Sequence, residues 1–133
     1  MQTPLDVTQL WLEAANSQDV DRLIEVSDSN TEIVGPRGSA FGHQILREWL
    51  KRAELNLTTL RIFAQDNIIV LAQHAVWHSV EGSKIIGEAD VASEFRVKDQ
   101  KVVKYARYET LDEALKKAGI NSTDEQLETN KMQ

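Results

Sequence analysis

Between Ile68 and Thr110, apolar and polar positions alternate through three long runs. The first, Ile68 to His78, is β-branched and aromatic and holds neither Pro nor Gly. Glu81-Gly82-Ser83 interrupts it, a second run goes from Lys84 to Val97, Asp99-Gln100 breaks that, and Lys101 to Glu109 follows as a third. Such runs at hairpin spacing predict an antiparallel meander. With three-residue loops at both turns, Trp77 falls opposite Gly87, Ala75 opposite Ala89 and Gln73 opposite Val91. Further along, Phe95 falls opposite Val103, Ser93 opposite Tyr105 and Val91 opposite Arg107.

Because strand side chains alternate, the odd positions share one apolar face: Ile69, Leu71, Ala75, Trp77, Ile85, Ala89, Val91, Phe95, Val97 and Val103. That face is expected to meet the helices. The even face sets Val70, Ala72, Val76, Ala92 and Ala106 among His74, Glu88, Asp90, Glu94, Lys104 and Tyr108, with Glu94 opposite Lys104 and His74 opposite Asp90. Small apolar residues ringed by charges suit a flat contact with a second copy of the chain, and equally a solvated sheet face. A two-residue loop at Asp99-Gln100, or a bulge, swaps the faces of the last strand.

Upstream, Thr3 caps a helix that has Pro4 in its first turn, and Val7, Leu10, Trp11, Ala14 and Ala15 form its buried stripe. Asn16-Ser17 interrupts the stripe. A short second helix turns Val20, Leu23, Ile24 and Ser27 inward, Asp28-Ser29-Asn30 is a turn, and Thr31 to Val34 is a brief strand. Gly35 to Gly42 is the Gly-rich stretch, but it has neither the Gly-Lys-Ser/Thr ending of a phosphate loop nor GxGxxG spacing. It reads as a tight connector or, functionally, as a pocket mouth where Arg37 meets an anionic ligand. His43 to Ala53 is a third helix, with Ile45, Leu46, Trp49, Leu50 and Ala53 inward, and Leu57 to Gln65 is the first long strand. Thr110-Leu111-Asp112-Glu113 is a capping box for a short last helix that Gly119 ends. The domain is expected to span residues 1–120, with residues 121–133 a polar, frayed tail.

The chain has 133 residues, a net charge of −6 and no cysteine. Its length fits one domain with a real core. The acidic balance, without any Lys/Arg run, argues against nucleic acid and anionic membrane as partners. Without cysteine, disulfides and thiolate metal sites are excluded. The first residues lack the basic and apolar regions of a signal peptide, so a cytoplasmic protein without a cofactor is the expectation.

The order of elements is α+β. With Trp11-Leu12-Glu13-Ala14-Ala15-Asn16, Asp19 to Leu23, Gly35-Pro36-Arg37-Gly38 through Gly42 into Leu46 and Trp49, Phe95-Arg96-Val97, Lys101-Val102-Val103 and Tyr105 to Thr110, the chain resembles the nuclear transport factor 2-like superfamily, in particular its SnoaL-like branch. The resemblance covers Leu5 to about Gly119. It implies a cone: a strongly curved, mostly antiparallel sheet wrapped around three N-terminal helices, with a pocket between them and a short C-terminal helix. Similar folds serve ketosteroid isomerase, scytalone dehydratase, limonene epoxide hydrolase and polyketide cyclases, and also binding and assembly domains, so the fold leaves function open. The Asp-Arg-Asp set of the epoxide hydrolases is not evident, and Thr110 stands where many relatives close the last strand with aspartate.

Three function classes follow: a small-molecule-binding pocket protein, an acid–base isomerase, cyclase or hydrolase on a compact apolar carbonyl or hydroxyl substrate, and a dimerisation or protein-binding module. The register places Gln73, Trp77, Ser93, Tyr105, Arg107 and Glu109 on the concave face that the resemblance implies, and Trp49 of the third helix is expected to line the same pocket. There Arg107 suits a carboxylate or an enolate-like oxygen, and the Tyr105 hydroxyl suits a carbonyl. Arg107 paired with Glu109 as a strand brace fits the same positions. His74 and Asp90 suit a general-base dyad or a cross-strand ion pair. His78 shares the face of His74, but no third ligand stands at metal spacing, and no metal is expected.

Overall fold

The structure, a computed structural model, describes residues 2–35, 38–52, 55–78 and 84–126. Arg37, the Glu81-Gly82-Ser83 turn, Ala53 and the tail from 127 on lie outside the described residues.

The first helix, α1 (Pro4–Asn16), starts at Thr3, whose hydroxyl accepts from the Asp6 amide while the Asp6 carboxylate accepts from the Thr3 amide. The second, α2 (Val20–Glu25), is capped by Asp19. The strand β1 (Ser27–Gly35) includes Asp28-Ser29-Asn30, expected as a turn; that segment instead carries the irregularity between Ser27 and Glu32 in the pairing of β1. Next, β2 (Gly38–Phe41) folds back on β1 in antiparallel register, Ile33 facing Ala40. The Gly-rich stretch is therefore half strand. Gly42, at φ 102°, turns the chain into α3 (His43–Arg52).

The meander follows as β3 (Leu55–Gln65), β4 (Ile68–His78), β5 (Ile85–Lys98) and β6 (Lys101–Tyr108), then α4 (Leu111–Ala118). Gly119, at φ 79°, ends α4 in the left-handed region that glycine enters without steric cost. The sheet has seven strands in the order β2-β1-β6-β5-β4-β3-β7, antiparallel except for the parallel pair β1–β6. It is an open α+β sheet with two edges, and it does not show the strong curl expected of a cone.

Residues 121–126 depart from the frayed-tail reading. Ser122–Asp124 form one 3₁₀ turn, and β7 (Glu125–Gln126) pairs with Ile62 and Phe63 of β3. Its anchor is polar: Arg61 donates to both Glu125 oxygens at 2.9 and 2.8 Å, holding that carboxyl below its usual range.

Between β4 and β5 the observed register has Trp77 opposite Gly87, Ala75 opposite Ala89 and Gln73 opposite Val91. The β5–β6 register differs from expectation. Asp99 and Gln100, at φ 52° and 64°, make a two-residue turn joining Lys98 to Lys101, and one extra residue, Val103, then sits between the pairs Val97–Val102 and Arg96–Lys104. Val102 therefore takes the core position expected of Val103. Ser93 faces Arg107, Phe95 faces Tyr105 and Glu94 faces Ala106. A second shift after Trp77 places Ile85 opposite His78, off the apolar face, where it is exposed.

Both sheet faces bear helices. On the odd face, α1 to α3 bury Val7, Trp11, Leu23, Leu46 and Leu50 against Ile69, Leu71, Phe95 and Tyr105. On the even face, α4 buries Ala114, Leu115 and Ala118 against Phe63, Val70 and Ala92. The even face is thus not wholly a solvent or subunit surface. An amphipathic α4 must bury its stripe somewhere, and the small residues Ala92 and Ala106 leave it room.

Trp11 is the hub of the main core. Its ring lies 4.8 Å from Tyr105, 5.1 Å from Phe95 and 5.5 Å from Trp49, centroid to centroid. Its Nε1–H donates to Ser27 Oγ at 3.1 Å, and that hydroxyl donates to Leu23 O at 2.7 Å. Asn16 ties the end of α1 to the sheet, its side-chain amide donating to Leu57 O and accepting from the Leu57 amide, both at 2.9 Å.

Candidate functional site: a pocket at the open end of the sheet

β6 ends at Tyr108, whereas β5 runs past it toward Ile85, so one end of the sheet lacks a strand beside β5. The parallel pairing of β1 with β6 sets Ile33 beside Tyr105 and Val34 beside Ala106. The β1–β2 hairpin and α3 then overhang that end. Between them lies a pocket of about 880 Å³, partly open to solvent. That size suits a small-molecule ligand.

Its walls are mostly apolar. Ile33 and Val34 come from β1, Ala40 from β2, Ile45 and Trp49 from α3, Trp77 from β4, and Ala89 and Val91 from β5. The polar residues on the lining are Asp90, Tyr105, Arg107, Tyr108 and Glu109. Gly35 and Gly38 border the pocket as well, and the Arg37 between them lies outside the described residues.

Of the residues expected at a pocket, Trp49, Trp77, Tyr105, Arg107 and Glu109 line this one. Gln73 does not. It is fully buried, accepting from Ser93 Oγ at 2.6 Å and donating to Thr59 Oγ1 at 3.5 Å, so its amide is committed inside the sheet. Trp11 also lies outside the lining, beneath Trp49 and Tyr105. Ile33, Ala40 and Val91 were not singled out as pocket residues from the sequence. The overhang that gathers them depends on the non-local β1–β6 pair, for which no local pattern exists.

Tyr105 is 2 % exposed, and its hydroxyl is buried with no hydrogen-bond partner among the described residues. Burial raises its pKa, against smaller downward pulls from the Arg107 charge and from Ser93, which lies close but outside ordinary hydrogen-bond geometry. It is a neutral donor at physiological pH. Arg107 makes no ion pair with any described residue, and its Cζ lies 5.5 Å from the centre of the Trp77 ring. The Arg107–Glu109 brace is therefore absent. Cation–π contact holds the guanidinium instead.

Tyr108 turns the other way. Its hydroxyl donates to Glu94 Oε1 at 3.1 Å, and its pKa is pushed up to about 12 by burial first and the Glu94 charge second. Glu94 is fully buried, and Arg96 donates to it at 2.6 Å while Lys104 Nζ stands 3.6 Å away. Arg96 also reaches Ala118 O, near the end of α4, at 3.5 Å.

His74 lies outside the pocket lining. Its Nδ1 is 2.9 Å from Asp90 Oδ1 and its Nε2 is 2.9 Å from Glu88 Oε1. With a carboxylate on each nitrogen, both must carry protons, and the ring has no lone pair to act as a base. The pair is a cross-strand ion cluster. The Asp90 contact, then Glu88, raises the His74 pKa. A raised folded-state value stabilises the native state fully below the unfolded value of about 6.5, and the contribution is lost as pH rises through the folded value. His74→Gln is therefore expected to lower the thermal midpoint at pH 6 and to match the wild type at pH 9. A deficit that stays constant or grows with pH contradicts this assignment. His78 does not join a metal set, and among the described residues no group of three or more His, Asp or Glu has metal-holding geometry.

No family model matches the chain, and no curated protein does. Solved structures match closely in fold. A nuclear transport factor 2-like protein of unknown function from Cytophaga hutchinsonii superposes with a TM-score of 0.71 at 12 % identity, covering 85 % of this chain and 95 % of that one. A similar protein from Burkholderia xenovorans gives 0.65 at 20 % identity, over 89 % and 98 %. A SnoaL-like protein from Shewanella putrefaciens, provisionally assigned to the polyketide cyclases, gives 0.69 at 12 % identity over 89 % and 86 %. The chain has the nuclear transport factor 2-like, cystatin-type α+β fold. At such identities the likeness speaks for fold alone.

Proposed function

We propose that this protein binds a small molecule in the pocket between α3, the β1–β2 hairpin and the open end of the meander, in the manner of SnoaL-like pocket proteins. The observation that carries this reading is a cavity of about 880 Å³ with mostly apolar walls, at which the Arg107 guanidinium stands over Trp77 without an ion-pair partner among the described residues. One protein of this fold, TerC, was co-crystallised with polyporic acid.

Binding is favoured over acid–base catalysis because the described pocket carboxylates, Asp90 and Glu109, are exposed, and His74 is outside. A general base needs a shielded site to acquire a shifted pKa. Val91 is half-buried in the pocket wall, so Val91→Trp is expected to fill the cavity while leaving the fold intact. In a thermal-shift screen of small aromatic and alicyclic compounds, the wild type should give stabilising hits that Val91→Trp loses. Hits that persist unchanged in Val91→Trp would place binding elsewhere, and a screen without hits would leave the assembly reading ahead.

A further inference from the structure

One strand of the sheet is left half uncovered. β6 parts from β5 at the pair Ala92–Tyr108, and the chain turns at Thr110 into α4. Residues 85–91 of β5 continue with β4 on one side, and no described residue pairs with them on the other. We infer that this free edge of β5 docks an extended segment of a partner protein as an added strand, one that alternates apolar residues with Lys or Arg. Docking there needs nothing in the cavity.

The backbone is ready for such a strand. Residues 87–91 stay in regular register with residues 73–77 of β4, so they are already extended and laddered on that side. In such a strand every second residue turns both its N–H and its C=O away from the neighbour. The result is a row of unpaired groups that main-chain bonds to an incoming strand satisfy. Elsewhere the chain covers its own edge. Along β3 the Asn16 side chain bonds both the N–H and the C=O of Leu57, and β7 pairs with Ile62 and Phe63. The edge of β5 has no such cover among the described residues, and the shift after Trp77 limits its regular part to residues 87–91.

Side chains select the partner. On the cavity side Gly87 and Ala89 are small, Ala89 is exposed, and Trp77 stands across from Gly87. Apolar side chains pack on that shelf, and Arg107, already over Trp77, disfavours a basic residue there. On the opposite side Glu88 and Asp90 have side chains 54 % and 79 % exposed. Both contact His74, whose single positive charge leaves one negative charge in excess. Cations directly across from these carboxylates are stabilising. Ile85 and Ile86, both exposed, extend the apolar surface toward the tip, with Lys84 beyond them. A second copy is the poorer occupant. Antiparallel pairing of two β5 edges about Ala89 sets Glu88 of one copy beside Asp90 of the other, and like charges so placed repel.

Fluorescence anisotropy at low ionic strength, with the full chain and a labelled peptide of alternating valine and lysine, tests this. The peptide should bind about tenfold more tightly than its valine–glutamate counterpart, since opposite-charge contacts across the strands replace like-charge ones. Methylating alternate backbone nitrogens of the lysine peptide should abolish binding, because charge attraction alone does not need those N–H groups. Glu88→Lys combined with Asp90→Lys should turn the preference toward the glutamate peptide. Should that double variant fail to fold, hydrogen exchange in the wild type still decides: bound lysine peptide should slow exchange within residues 85–91 and leave β3 unchanged. Equal binding of the two peptides, undiminished binding of the methylated one, or no binding at all would overturn the proposal. So would sedimentation of the free chain as a dimer with residues 85–91 protected, which would give the edge to a second copy.

Discussion

Trp11→Ala is expected to lower the unfolding free energy by about 3–5 kcal/mol, the usual loss for a fully buried large aromatic. This is a large share of the roughly 5–15 kcal/mol that holds a domain of this size together. The cost has two parts. Removing the indole opens a void at the junction of Phe95, Tyr105 and Trp49, three rings that pack on it within 5.5 Å. It also removes the donor to Ser27 Oγ, although that hydroxyl keeps its own bond to Leu23 O. Trp11→Phe should therefore lose much less, about 1–2 kcal/mol, because most of the ring volume stays. Urea titration followed by circular dichroism reads both variants. A loss below about 1 kcal/mol for Trp11→Ala would mean that Trp11 does not organise the core.

Glu94→Ala is expected to cost about 2–4 kcal/mol, somewhat less than breaking a fully buried ion pair, since the cationic partners keep some contact with water. The carboxylate is fully buried beneath α4 and accepts from Arg96 and Tyr108 with Lys104 nearby. Without it, two cations face each other beneath α4, and the Tyr108 hydroxyl has no acceptor. The damage should concentrate on α4, where Arg96 reaches Ala118 O. Hydrogen exchange in residues 111–118 should accelerate more than in α1. The double variant Glu94→Leu with Arg96→Met should recover much of the loss, because an apolar pair avoids the desolvation cost. Uniform acceleration across the chain, or no recovery in the double variant, would contradict a local ion cluster holding α4.

These two residues mark how far the sequence was legible. Trp11 stood on the helical stripe Val7, Leu10, Trp11, Ala14, Ala15, and most of that stripe is buried as the 3.6-residue period requires. The β4–β5 register followed from a three-residue loop at Glu81-Gly82-Ser83 and matches at Trp77–Gly87 and His74–Asp90. Glu94 was misread because two errors compounded. The turn at Asp99-Gln100 is one residue shorter than assumed and Val103 is bulged out, so Glu94 faces Ala106 rather than Lys104, and α4 was not assigned to the even face. A trace of the second was present in the sequence: Leu111, Ala114, Leu115 and Ala118 form an apolar stripe that had to be buried, and α1 to α3 already occupied the other face.

The pocket was legible in parts. Trp77, Tyr105 and Arg107 share a face by alternation, and β-strand periodicity was enough to collect them. The opposite wall, Ile33, Val34 and Ala40, depends on β1 joining β6 in parallel across about seventy residues of chain, a pairing that turn chemistry does not encode. The bulges at Val103 and after Trp77 were equally silent, since an extra residue in a strand leaves no compositional mark. Gln73 shows the reverse error. Its face was right, but depth along the strand commits it to Ser93 and Thr59.

The central claim is that the cavity at the open end of the sheet is a binding site, and a crystal structure of the protein soaked with a thermal-shift hit tests it most directly. The account predicts ligand density in that cavity, against Trp49 and Trp77. Density only at another surface, with the cavity empty, would contradict it.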